Sequence, residues 1–347
     1  MKSTFHHIVR FVVSLLLIST VLPALAQDPH FSQFYEAPLL RNPSLAGIFR
    51  GDLRVQGLYR DQWNSFTNAY RTGSLNAEMR HPIGRRNDFV TTALQVVYDK
   101  AGDAALTTTQ LLPVLNYHKS LNDDRNMYLS LGFMGGWIQK RLDRTKMTTN
   151  NQYDGNGYNP SLPDGEPFAD FRQGYWDGSV GMSFSSNLRY NENNTFFIGA
   201  AYHHFNRPKN SFYQNPSIGL EPKWVFSGGI KLQINEPAFF NIQADYSRQG
   251  QGSEVVGGAL LGYHLGTDAE APKYTVYAGA FLRWKDALIP VVKMDFGPMS
   301  LSLSYDVNVS SLKTASLGRG GTELSLSWTG FLENRNSSRN DIRCPVF

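Results

Sequence analysis

The chain has 347 residues, of which 18% are charged and 13% aromatic, and its formal net charge is only +4. The scattered basic residues exclude an electrostatic nucleic-acid footprint, and a single cysteine, Cys344, excludes an intramolecular disulfide framework. A negative mean hydropathy excludes a bundle of membrane helices.

Residues 1–26 carry the three parts of an export signal: Lys2 and Arg10 in front, an apolar run from Phe11 to Leu22, and small residues at Ala24 and Ala26. The run is shorter than the roughly 20 residues that cross a bilayer as a helix. Cleavage after Ala26 is therefore expected, with Gln27 leading the mature chain and no lipid-accepting cysteine there. Residues 27–51 are expected to form a periplasmic segment packing on or in the following domain, because Phe31, Phe34 and Tyr35 are too apolar for an idle tail.

From Asp52 onward, period-two alternation recurs in segments of roughly 8–13 residues bounded by Gly, Asn, Asp or Pro. The expected strands are 52–60, 69–80, 89–99, 107–118, 127–138, 174–189, 194–205, 223–235, 238–247, 253–264, 273–284, 288–296, 299–308 and 321–332. Leu129, Leu131, Phe133 and Trp137 share one face, as do Trp224, Phe226, Ile230, Leu232 and Ile234, opposed by Ser227, Lys231 and Gln233. In 301–311, Leu301, Leu303, Tyr305, Val307 and Val309 oppose Ser302, Ser304, Asp306, Asn308 and Ser310. Aromatics stand at the ends of such faces at Tyr59, Trp137, Tyr190, Trp224, Trp284 and Trp328, where bilayer girdles lie. The largest connections, 139–173, 206–222 and 309–320, follow odd strands; the shortest, at Asn235–Pro237 and Gly297–Pro298, follow even ones.

With no helical span after the signal, lipid is crossed only by a closed barrel. A secreted sandwich or propeller explains the alternation, but not the signal, the aromatic ends and the loop asymmetry together. The reading is an all-β, transmembrane antiparallel outer-membrane β-barrel of about 14 strands with long extracellular loops, over 52–332, followed by a periplasmic C-terminal tail, 333–347. The compartment is the outer membrane of a Gram-negative bacterium.

Catalytic and cofactor patterns are absent from the sequence: there is no G-x-S-x-G, H-E-x-x-H, P-loop or G-x-G-x-x-G. No catalytic residue, cofactor site or metal site is assigned, and the chain reads as a non-enzyme. His203 and His204, adjacent on one strand, are expected on opposite faces, one in the lumen and one at the interface. Asp154, Asn156, Asp164, Glu166 and Asp170 supply oxygen donors in one loop, but their spacing does not fit a calcium loop, and Asp-Gly and Asn-Gly are ordinary turn formers. Lys231, Asp245, Arg283 and Asp306 point inward, either lining a channel or cross-linking a filled lumen.

The stretches "QDPHFSQFYEAPLLRNPSLAG" at 27–47, "YRDQWNSF" at 59–66, "YDKAGDAAL" at 98–106, "HHFNRPKNSFY" at 203–213, "SYDVNVSSLKTAS" at 304–316, "GGTELSLSW" at 320–328 and the terminal "CPVF" closely resemble the PorP/SprF family of Bacteroidetes outer-membrane proteins. That resemblance implies a component of the type IX secretion system, linked to gliding motility. Its implied partners are the secretion machinery (translocon or periplasmic ring components), outer-membrane lipid, and a large secreted cargo or cell-surface adhesin with a C-terminal sorting domain. It marks Phe31, Gln33, Phe34, Tyr35, Asn42 and Pro43 as the N-terminal family segment. Loops on a rigid scaffold are where binding resides, so Tyr153, Tyr158, Phe168, Phe171, Phe212 and Tyr213 are the candidate partner-binding aromatics. The alternative reading is a passive porin for small solutes.

Overall fold

A computed structural model describes residues 28–63, 70–84, 87–167, 171–188, 191–213, 215, 217–266, 273–310 and 313–332. The signal region, Tyr190, Phe168, Asp170 and the tail 333–347 lie outside the described residues. Among the described residues, fourteen antiparallel strands close into one barrel, each paired with its sequence neighbours and β1 with β14. They are β1 (Leu53–Gln62), β2 (Tyr70–Pro82), β3 (Phe89–Ala101), β4 (Leu106–Asn122), β5 (Met127–Arg141), β6 (Arg172–Leu188), β7 (Asn191–His203), β8 (Lys223–Gln233), β9 (Ala238–Gln249), β10 (Gly252–Leu265), β11 (Tyr274–Arg283), β12 (Ala287–Phe296), β13 (Met299–Asn308) and β14 (Arg319–Gly330). Closure runs from Leu53↔Gly330 to Gln62↔Gly321, leaving no edge strand.

Burial is inverted relative to a soluble protein. In β13, Leu303 is 52% exposed while its neighbour Ser302 is fully buried. Trp137, Trp224, Trp284 and Trp328 all face outward, and Ser227, Thr275, Arg283 and Asp306 face the lumen. Apolar side chains meet lipid, while the polar face is covered from within. No described helix is long and apolar enough to cross a membrane.

The connection asymmetry holds at β5–β6 and β7–β8, whose links occupy 142–171 and 204–222 at the end where odd strands finish, here the loop end. It is not uniform. The β9–β10 link at the same end is only Gly250–Gln251, made possible by the positive φ of 56° at Gly250.

Candidate functional site: a filled lumen beneath a two-loop platform

Residues 28–50 occupy the barrel interior. Three short turns, Phe34–Glu36, Pro38–Arg41 and Pro43–Leu45, compact the segment. Proline opens the second and third, where a missing N–H costs nothing, and the Asn42 side chain caps the third by accepting from the Ser44 N–H at 2.9 Å. The family-segment aromatics supply the contact: Phe34 packs edge-on to Phe281 at 5.3 Å and Tyr35 stacks on the same ring at 4.9 Å. Phe31 packs with Leu58, and Leu39 with Leu112, Val114 and Met134.

The polar contacts define the direction of the thread. Asp28 sits at the loop end, where its N–H donates to Gln249 Oε1 at 3.1 Å and its carboxylate meets His204 Nε2 at 2.7 Å. At the other end Arg80 donates to the carbonyl of Gly51 at 3.0 Å, and the Asp52 N–H donates to Gly330 at 2.8 Å. Between these ends, Glu323 accepts from the N–H groups of Ser32 and Gln33 at 2.6 and 2.7 Å and lies 3.4 Å from Arg60. Asp306 accepts from Ser32 Oγ at 2.7 Å and pairs with Arg60 and Arg283 at 3.2 and 3.3 Å. Glu36 is held by Lys293 at 2.8 Å and Gln56 at 2.6 Å. Both oxygens of Asp245 accept from Arg41 Nε at 2.7 Å, and the Arg41 guanidinium lies over Phe34 and Phe197 at 4.8 and 5.1 Å.

Asn42, Pro43 and Ser44 cross the wall at β5–β7, where the inward positions are glycines. A Cβ at Gly132 would stand 2.5 Å from the Pro43 carbonyl carbon, and one at Gly181 would overlap Asn42 Oδ1. Asn116 closes this site by donating to the carbonyls of Ser44 and Ala46 at 2.7 and 2.8 Å. A lumen cavity lined by Asp28, Phe31, Asp177, His203 and Lys223 has about 50 Å³, enough for a water or two.

His204 departs from the expected opposite faces. His203 ends β7 pointing inward, 3.0 Å from Ser179 Oγ, but His204 leaves the strand with a φ of 58°, so alternation no longer governs it. It turns in as well, with Nε2 on Asp28 and Nδ1 on Asp177 at 2.7 and 2.8 Å. Burial opposes its protonation, but Asp28 and then Asp177 overcome that and push the imidazole up to about 9. Burial would raise the Asp28 carboxyl, yet His204 holds it well below the usual carboxylate range.

Above the lumen, two loops form a platform. Tyr153 and Tyr158 pair across a tight turn and are exposed. Phe171 carries the Arg144 guanidinium at 4.9 Å, and Arg144 forks onto both oxygens of Asp164 at 2.6 and 2.7 Å. The Tyr213 hydroxyl donates to Glu166, joining the β7–β8 loop to the β5–β6 loop, while Phe212 lines a separate cavity of about 420 Å³ with Arg172, Tyr175 and Lys209. Asp154 accepts from the N–H groups of Asn156 and Gly157 at 3.0 and 3.1 Å, so it and Asp164 are committed to turn and ion-pair geometry. No group of three or more metal-ligating side chains occurs among the described residues.

Residues 24–328 match the family described as type IX secretion system membrane protein PorP/SprF. The chain belongs to that family. No curated protein matches it. Among solved structures it is similar to a Pseudomonas aeruginosa FadL homologue, at 12% identity and TM-score 0.47, covering 82% of this chain and 91% of that one. It is also similar to the deltaS2 mutant of the TodX monoaromatic hydrocarbon channel (10%, TM-score 0.44, 84% and 93% covered) and to the KdgM porin (7%, TM-score 0.39, 80% and 98% covered). As a PorP/SprF barrel the chain is an outer-membrane component of type IX secretion. The family segment read from the sequence, Phe31 to Pro43, is the part that fills the barrel. Of its receptors, the sequence singled out Asp245 as an inward residue without naming its partner, and did not single out Glu323, Asn116 or the Gly132–Gly181 notch. The available signal was polar or glycine residues at inward positions of otherwise regular strands.

Proposed function

We propose that this PorP/SprF barrel is a non-enzymatic scaffold that helps secrete or hold at the surface a cargo with a C-terminal sorting domain, through the loop platform. The observation that carries this reading is the occupied lumen: residues 28–50 fill the barrel interior with aromatic and charged contacts to its wall, which favours the rim over a solute path as the working surface. The platform suits recognition, since Tyr153, Tyr158 and Tyr213 expose ring area on segments cross-tied by Glu166, Arg144 and Asp164. Loops outward and turns toward the periplasm are the orientation that the long links at the odd-strand ends support.

The test is a pull-down of the tagged chain from detergent-solubilised outer membranes, with mass spectrometry and a matched deletion within 142–171. Co-purification of a large protein with a sorting domain or of type IX components, lost on deletion, is expected, together with no steady conductance in a planar bilayer. A barrel that purifies alone and conducts steadily is a porin.

A further inference from the structure

The outward positions of β2–β6 stack into level rows because each strand pair is in register. The row nearest the loop end reads Arg71↔Lys100, Lys100↔Thr107, Thr107↔Arg141 and Arg141↔Arg172: four basic residues in five positions. Arg71 has a partner in Asp61 at 3.3 Å, whereas Arg141 and Lys100 have no ion pair among the described residues. Two rungs below, the outward row is Leu75, Val96, Leu111, Trp137 and Trp176, with the two indoles edge-to-face at 5.5 Å. The two indoles mark the interfacial level on β5 and β6, and the basic row stands above them at the headgroup level. On the adjoining wall, β7–β10, the rim positions are Tyr202↔Trp224, Trp224↔Arg248 and Arg248↔Ser253, with a single basic residue.

The wall under the basic row is indented. Pro113, Gly135 and Gly178 face outward on β4, β5 and β6 with little or no side chain, while Leu115, Phe133 and Trp176 stand around them, giving an apolar groove of about 480 Å³. Phe205 closes one flank by lying over Gly178, where a Cβ would be 2.5 Å from its ring. Anionic and apolar complementarity thus coincide on three strands. A guanidinium fork matches phosphate oxygens bidentately.

We infer that the outward face of β4–β6 is a binding site for a phosphorylated glycolipid of the outer leaflet, with its phosphate at Arg141 and Arg172 and an acyl chain in the groove beneath. The inference rests on the loop end facing outside, which an epitope inserted within 142–171 reports independently on intact cells. An epitope sealed from outside would place the row in the inner leaflet and overturn the glycolipid as occupant.

The experiment titrates the purified full chain, in neutral-detergent micelles, with bisphosphorylated lipid A, followed by native mass spectrometry. Saturable binding is expected, weakened about tenfold or more in R141Q/R172Q and unchanged in R248Q on β9. Gly135→Leu, which fills the groove without touching the charges, is expected to weaken lipid A binding too, with heat-modifiable gel migration verifying a folded barrel in each variant. Equal binding by R141Q/R172Q and the parent, or equal binding of fully dephosphorylated lipid A, overturns the site. Displacement of lipid A by equimolar inorganic phosphate identifies a free-anion site and overturns the lipid assignment, as does equal affinity for phosphatidylglycerol.

Discussion

The two halves of the lumen segment are held by different physics. Residues 32–36 are gripped by charge: Glu323, Asp306 and Lys293 on β12–β14, with Arg60 on β1 and Arg283 on β11, surround backbone and side-chain partners at hydrogen-bond distance. Residues 42–46 are gripped by shape, in a notch of glycines closed by the neutral amide of Asn116. A buried charge array is intolerant of losing one member, because the others are then desolvated and unpaired. A notch is intolerant of added bulk and indifferent to charge. The same segment therefore has two failure modes, and each is reached by a different substitution.

The largest effect is expected at the charged half. Glu323→Ala strips the acceptor of two backbone N–H groups and leaves Arg60 short of a partner, which should cost about 3–5 kcal/mol. Rapid proteolysis or hydrogen exchange at 28–36, with ion conductance appearing in a planar bilayer, is the expected readout. Unchanged protection would show that the apolar contacts of Phe34 and Tyr35 suffice alone. A smaller effect is expected at the notch, where Gly181→Leu should overpack by roughly 1–3 kcal/mol. Labelling of a cysteine at Ser44 in a Cys344→Ser background should rise, while protection of residues 32–36 persists. If both halves loosen together, the segment is one cooperative unit and the division fails.

The smallest effect concerns the tip. His204 is raised to about 9 from 6.5, so its stabilising contribution is complete below 6.5 and is lost as pH climbs through about 9. Asp28 is lowered, so its share is complete above 3.8 and disappears only in strong acid. The protection factors of residues 28–31, which divide out base-catalysed intrinsic exchange, should therefore fall between neutral pH and pH 10, and His204→Gln should remove most of that dependence. A pH profile identical in the variant would remove the Asp28–His204–Asp177 contact as its cause.

Much of the wall was legible in the sequence. Each of the fourteen alternating segments corresponds to a strand, with ends displaced by a few residues, as at β4, which continues to Asn122. His204 marks where that reading stops, since a positive φ reverses the side a residue faces. The candidate loop aromatics were legible only as a class: the structure ties Tyr213 to Glu166 and puts Phe212 in a different cavity. No local pattern predicts either, because loop contacts have no period.

Alternation at period two is a property of neighbouring residues, so the sequence by itself determined which side chains meet lipid and which meet the lumen. The conformation of 28–50, its run from the loop end to the turn end, the choice of Glu323 and Gly181 as its receptors, and the alignment of Arg71, Lys100, Arg141 and Arg172 into one row were decided only by barrel closure and register. These relations join residues up to 291 positions apart, and their geometry exists only once every strand has found its neighbour.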